Sequence, residues 1–143
     1  MIQKNRIRHL IGAPPQKSDH VLYWMQQAQR VAHNHALCHA LEIANDLSLP
    51  LVVGVVLTPD FPEANLRHYV FMLEGLANVQ KELKSLGIPF LIQTGKMVET
   101  VLSLAKTAAW GVTDGGYLRI QRQWREQVAK GLRCPYTEVE TDA

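Results

Sequence analysis

Cysteine is scarce in this sequence. Two occur among 143 residues, Cys38 and Cys134, far apart and with no metal or redox spacing, which excludes a disulfide framework and suits free thiols in a reducing compartment. Charge of either sign is nearly balanced: 15 Lys+Arg against 13 Asp+Glu leave +2, too little to imply by itself a nucleic-acid or membrane field. Long apolar runs are missing as well. Lys4, Arg6 and Arg8 are followed only by Leu10 and Ile11 before Gly12-Ala13-Pro14-Pro15, which gives neither a secretory core nor a spanning helix. The common signatures G-x-G-x-x-G, the Walker loop and G-x-S-x-G are absent, removing the commonest enzyme readings of an α/β chain. The expectation is one soluble, cytoplasmic domain, since ~100–200 residues per domain is the usual size and a chain this long buries roughly two-thirds of its surface without staples.

What is present is a regular alternation of elements. Residues 1–19 read as a lead segment rich in Pro and Lys, and 20–143 as the domain. Val21-Leu22-Tyr23-Trp24-Met25 is a short continuous apolar run, as expected of a strand buried on both faces. From about Arg30, Leu37, Ala40, Leu41, Ala44 and Leu47 recur at helical spacing and close at Ser48-Leu49-Pro50. Leu51–Leu57 is β-branched and ends at Thr58-Pro59-Asp60, the second strand. Asn65 caps a second helix whose stripe is Leu66, Tyr69, Val70, Leu73, Leu76 and Ala77, with Gly87 as its left-handed stop. Pro89–Gln93 is the third strand, Val98 to Ala109 the third helix and Gly111–Asp114 the fourth strand. Ile120, Trp124 and Val128 mark the fourth helix, and Tyr136–Glu140 is the fifth strand. Short strands alternating with helices imply parallel crossovers, hence a three-layer α/β/α Rossmann-like domain with a five-stranded parallel sheet.

In such a sheet ligands sit outside the carboxyl ends of the strands where strand order reverses, here between the first and fourth strands. Trp24, Met25 and Gln29 line one side of that crevice; Asp114, Gly115, Gly116 and Tyr117 line the other. Trp24 and Tyr117 offer flat surfaces to a planar ring, Asp114 and Gln29 offer hydrogen bonds, and the paired glycines permit close approach. The competing structural reading has Trp24 capping the core and Gly115 serving a turn. His35, Cys38, His39 and Glu42 share one helix face, yet four ligands on one straight helix cannot surround a tetrahedral ion, so a polar solvent face is preferred and no metal is expected. Phe71, Met72 and Gly75 lie opposite the second helix's stripe and suggest a partner surface. Arg119, Arg122, Arg125 and Arg133 lie away from the Trp124 stripe; Arg119 and Arg122 are candidates for phosphate or DNA contact, against the plainer reading of a solvated cationic face. No catalytic set stands out.

Three blocks then carry a resemblance. Tyr23-Trp24-Met25 with Gln29-Arg30-Val31 and Asn34, Arg67-His68-Tyr69 with Phe71-Met72-Leu73 and Gly75-Leu76, and Thr113-Asp114 with Leu118-Arg119, Arg122 and Trp124 resemble the N-terminal α/β domain of class II cyclobutane pyrimidine dimer photolyases. The likeness runs from about Arg6 to Asp142. It implies the strand order 3-2-1-4-5. It further implies light-dependent DNA repair, in which reduced FAD donates an electron to a pyrimidine dimer that then splits. The resemblance places FAD and most of the DNA groove in a helical domain absent from this chain, and gives this domain an antenna chromophore, a deazaflavin or a folate. It makes Phe71, Met72 and Gly75 the face that docks on the helical domain. Ala28 stands where an Asp is usual in the family, and Gly115-Gly116-Tyr117 where Phe-Ser-Pro is frequent; both departures fall on the crevice. The alternative is a standalone α/β binding protein for a small nucleotide-like ligand, acting as sensor or carrier.

Overall fold

A computed structural model describes residues 7–11, 19–26, 31, 34–57, 66–115 and 119–140, with side chains at 8–11, 66–69, 71, 119 and 120 not described. The elements run β1 (Ile7–Ile11), β2 (His20–Trp24), α1 (His35–Leu47), β3 (Leu51–Leu57), α2 (Leu66–Ser85), β4 (Phe90–Thr94), α3 (Met97–Leu104), β5 (Ala108–Asp114), α4 (Arg119–Gly131) and β6 (Tyr136–Val139). The five strands expected from the sequence form the parallel order β4-β3-β2-β5-β6, the 3-2-1-4-5 arrangement.

A sixth strand was not expected. Residues 7–11, within the stretch read as a lead, pair antiparallel with β6, Ile7 opposite Val139 and Ile11 opposite Tyr136. The reason is the outer main chain of β6, which an antiparallel partner satisfies. β1 is broken by an irregularity between His9 and Ile11.

The pleat sends alternate residues of each central strand to two separate cores. Val21, Tyr23, Val53, Val55 and Val112 meet Ala36, Leu37, Ala40 and Ala44 of α1 and Leu76, Val79 and Leu83 of α2. On the opposite face Trp24, Val56 and Tyr136 meet Met97 and Val101 of α3 and Val128 of α4. Helices therefore cover both faces, α1 and α2 on one and α3 and α4 on the other, and the change of face falls between β2 and β5.

Helix ends follow local chemistry. Asn34 caps α1, its side chain accepting from the Leu37 N–H at 2.9 Å, so the helix starts five residues later than periodicity suggested. Gly87, at φ 73°, turns the chain after α2 while the Ile88 N–H bonds the Leu83 carbonyl at 2.9 Å, the expected left-handed stop. α3 ends at Leu104, because residues 105–107 turn and Ala108–Trp110 extend β5. The apolar stripe of α2 is displaced from expectation: Leu76, Val79 and Leu83 are buried, whereas Val70 and Leu73 are each 46% exposed.

Candidate functional site

The crevice is built where β2 and β5 end side by side, with Trp24 in register with Thr113. Thr113 donates its hydroxyl to the Trp24 carbonyl at 3.0 Å, tying the two strand ends together. One residue further, Asp114 is fully buried, and its Oδ1 accepts the Gln26 backbone N–H at 2.6 Å, a charge-assisted bond that fixes the path of the chain leaving β2. The Gln26 side chain then reaches α4. Its Nε2 donates to the Gln121 carbonyl at 3.2 Å, and its Oε1 accepts from Arg125 Nη1 at 3.2 Å. Arg125 Nη2 lies 3.3 Å from Glu138 Oε1, with side chains only 6% and 14% exposed. The chain of contacts Asp114–Gln26–Arg125–Glu138 thus joins β5, the end of β2, α4 and β6.

Gly115 belongs to this arrangement. A Cβ there would lie 2.7 Å from Glu138 Oε1, so glycine lets the carboxylate pass under the strand end. Its N–H bonds the Val139 carbonyl at 3.1 Å. Nearby, the Tyr136 hydroxyl is buried and has its pKa pushed up by burial, with Arg125 opposing in smaller measure; it is a neutral member of the cluster at any ordinary pH.

The residues expected to hold a chromophore divide into two groups. Trp24, 3% exposed, packs with Val56, Met97, Val101, Val128 and Tyr136, so its ring is core and not a platform. Met25 is buried on the α1 and α2 side. Asp114 and Gly115 are buried and engaged as above. Gln29, Gly116 and Tyr117 lie outside the described residues. Trp24, Met25, Asp114 and Gly115 are all buried, so these four residues do not present a surface that fits a planar ring.

Elsewhere, Met72 is half-buried and packs on the α1/α2 core, because Leu76, Val79 and Leu83 continue its line along the helix. Gly75 is partly exposed, with open space where a side chain would stand. The side chain of Phe71 lies outside the description, as does that of Arg119; Arg122 is exposed on α4. Arg125, grouped by sequence with the solvated cationic face, is instead 5% exposed. Gln121, Arg125 and Val128 follow one line of the helix, and that line was the available signal; Glu138 and Gln26 had none. On α1, His35 and His39 are half-buried while Cys38 and Glu42 are exposed. No group of three or more such side chains gathers among the described residues, and no described helix is long and apolar enough to cross a membrane.

Comparison with known proteins adds what geometry alone does not. The family model for DNA photolyase matches residues 21–142. The chain is 44% identical to a deoxyribodipyrimidine photo-lyase of Methanothermobacter thermautotrophicus over 99% of its own length and 32% of the relative's. Against that of Arabidopsis thaliana it is 36% identical, over 99% of this chain and 30% of the other. An archaeal photolyase structure from Sulfolobus tokodaii, described as carrying two FAD molecules, superposes with a TM-score of 0.72 at 15% identity, over 85% of this chain and 29% of that one. The chain spans about a third of the length of these two curated relatives.

Proposed function

Since the chain belongs to the DNA photolyase family, we propose that it is the N-terminal α/β domain of a light-dependent DNA repair enzyme that splits cyclobutane pyrimidine dimers. The observation that carries this is likeness along the whole chain to relatives about three times longer. Within the family the three sequence blocks support the class II branch. Exposed Cys38 and buried Cys134, both free thiols, support a reducing, cytoplasmic setting.

FAD, bound by the remaining polypeptide, would supply the light-driven electron donor. This chain's own part is structural: Asp114, Gln26, Arg125 and Glu138 lock the strand ends and α4 into one rigid edge. Arg122, with Arg119 three residues before it, is the candidate for phosphate contact, a screened interaction that weakens with salt. An antenna role, for a deazaflavin or a folate, rests on Gln29, Gly116 and Tyr117, because Trp24, Met25, Asp114 and Gly115 are buried within the protein itself.

The test is to place this chain in the first third of the archaeal relative. The chimera should split dimers in damaged DNA under near-UV light with reduced FAD, while the 143-residue chain alone should leave them intact. Splitting by the isolated chain, or an inert but folded chimera, overturns the proposal.

A further inference from the structure

All the large exposed hydrophobics among the described residues fall within one stretch of chain: Val70 and Leu73 on α2, Leu86 after it, and Leu91 and Ile92 on β4. Among the described residues no other stretch shows such a concentration. Single exposed apolar residues carry no message, but Val70 and Leu73 lie one turn apart on α2, and Ile92, in register with Val55, stands on the α2 side of the sheet.

Two features make this a surface built to be covered. β4 is the last strand of the sheet, and no strand among the described residues pairs with its outer side. Val53 N–H bonds the Pro89 carbonyl and Gly95 N–H the Leu57 carbonyl, so the alternation of a parallel ladder turns the main-chain groups of Phe90, Ile92 and Thr94 away from β3. Proteins normally protect such an edge with charge, a bulge or proline within the strand. The strand Phe-Leu-Ile-Gln-Thr contains no charged residue and no proline, unlike the opposite edge strand β1, which carries Arg8. Second, a groove of about 280 Å³ opens beside the start of β4, between Gln80, Lys84, Gly87, Ile88, Pro89 and Phe90, and Leu86 stands next to it in sequence.

We infer that the β4 edge and the outer stripe of α2 at Val70 and Leu73 form the face on which the remaining two thirds of the photolyase polypeptide docks. This rests on the family reading above and moves the docking face away from Met72, which the core has claimed. The occupant follows from size. Five side chains, none more than 59% exposed, fall short of the roughly 800 Å² per partner that an untethered dimer buries. The relatives carry about twice this chain's length again beyond the match, and a body tethered in the same polypeptide docks at millimolar effective concentration, for which a smaller face suffices.

Amide hydrogen exchange tests it, comparing the 143-residue chain with the chimera described above. In the isolated chain the Ile92 and Thr94 amides should exchange nearly freely; in the chimera they should slow by at least ~10-fold. In a Val70→Asp/Leu73→Asp chimera, whose substitutions lie on solvent-exposed positions, that protection should fall back toward the isolated value. A chimera that splits dimers with unprotected β4 amides overturns the docking face and leaves the family reading standing. An inert chimera whose β4 is protected keeps the docking face and removes the activity. Equal protection in the double variant overturns the inference, as does protection that appears in the isolated chain only at high concentration, which would make a second copy the occupant.

Discussion

Arg125 shows how far one side chain can be misread from helical periodicity. Surrounded in sequence by Arg119, Arg122 and Arg133, it has the look of a solvated cation, yet it is buried and holds Glu138 at 3.3 Å and Gln26 at 3.2 Å. Removing one member of a buried pair leaves the other charge without compensation, so Arg125→Met should destabilise by about 3–5 kcal/mol. Exchanging both, Arg125→Met with Glu138→Leu, should recover at least half of that loss, because two apolar groups of similar shape remove the stranded charge. Urea unfolding of the two single variants and the double one measures this, and strictly additive losses would refute a coupled pair. The same lesson applies to Trp24 and Asp114. Their positions at the strand ends were legible, since a continuous apolar run ending before polar residues marks where a strand stops. Their orientation was not: whether Trp24 points to a crevice or to α3 and α4 depends on the parity of the pleat, and sequence sets parity only relative to helices whose faces are not yet known.

At the level of elements, strands were easier than helix faces. Leu51–Leu57 was found at its observed bounds because β-branched residues, a preceding Pro50 and the following Thr58-Pro59 all agree. β1 is hard to read in the sequence because Ile-Arg-His-Leu-Ile mixes charge with apolar residues, the mark of an edge strand whose ladder partner lies far along the chain. In α2 the difficulty is an excess of apolar residues: Val70, Leu73 and Ala77 make one helical line and Met72, Leu76, Val79 and Leu83 another, so periodicity allows two answers. Burial by β3 and β4 chooses the second. Accordingly Leu76→Ala should cost about 2–5 kcal/mol by opening a cavity, whereas Leu73→Ala should stay within about 0.5 kcal/mol in the isolated chain. Thermal or urea melts decide between them, and comparable losses at both positions would show that the two faces had been exchanged.

For the molecule as a whole, the sheet is asymmetric in its edges. It ends on one side in β1, a strand that carries Arg8, and on the other in β4, a strand without a charged residue. Deleting residues 1–12 should therefore do more than trim a terminus: it should lower the melting temperature, by roughly 2–4 °C for each 1 kcal/mol lost in a domain of about this size, and promote concentration-dependent association through the uncovered β6 edge. Sedimentation velocity of the truncated chain checks the second effect; a monomer of unchanged stability would show that β1 contributes nothing. The pairing of Ile7 with Val139 also orders events in time. As the chain is made from its N-terminus at about 5–20 residues per second, β1 must wait for β6 to leave the ribosome before it has a partner. The sheet can grow outward from β2 and β3 in the meantime, but β1 joins it only once residues 136–139 have emerged, and until then its main-chain groups have no ladder partner.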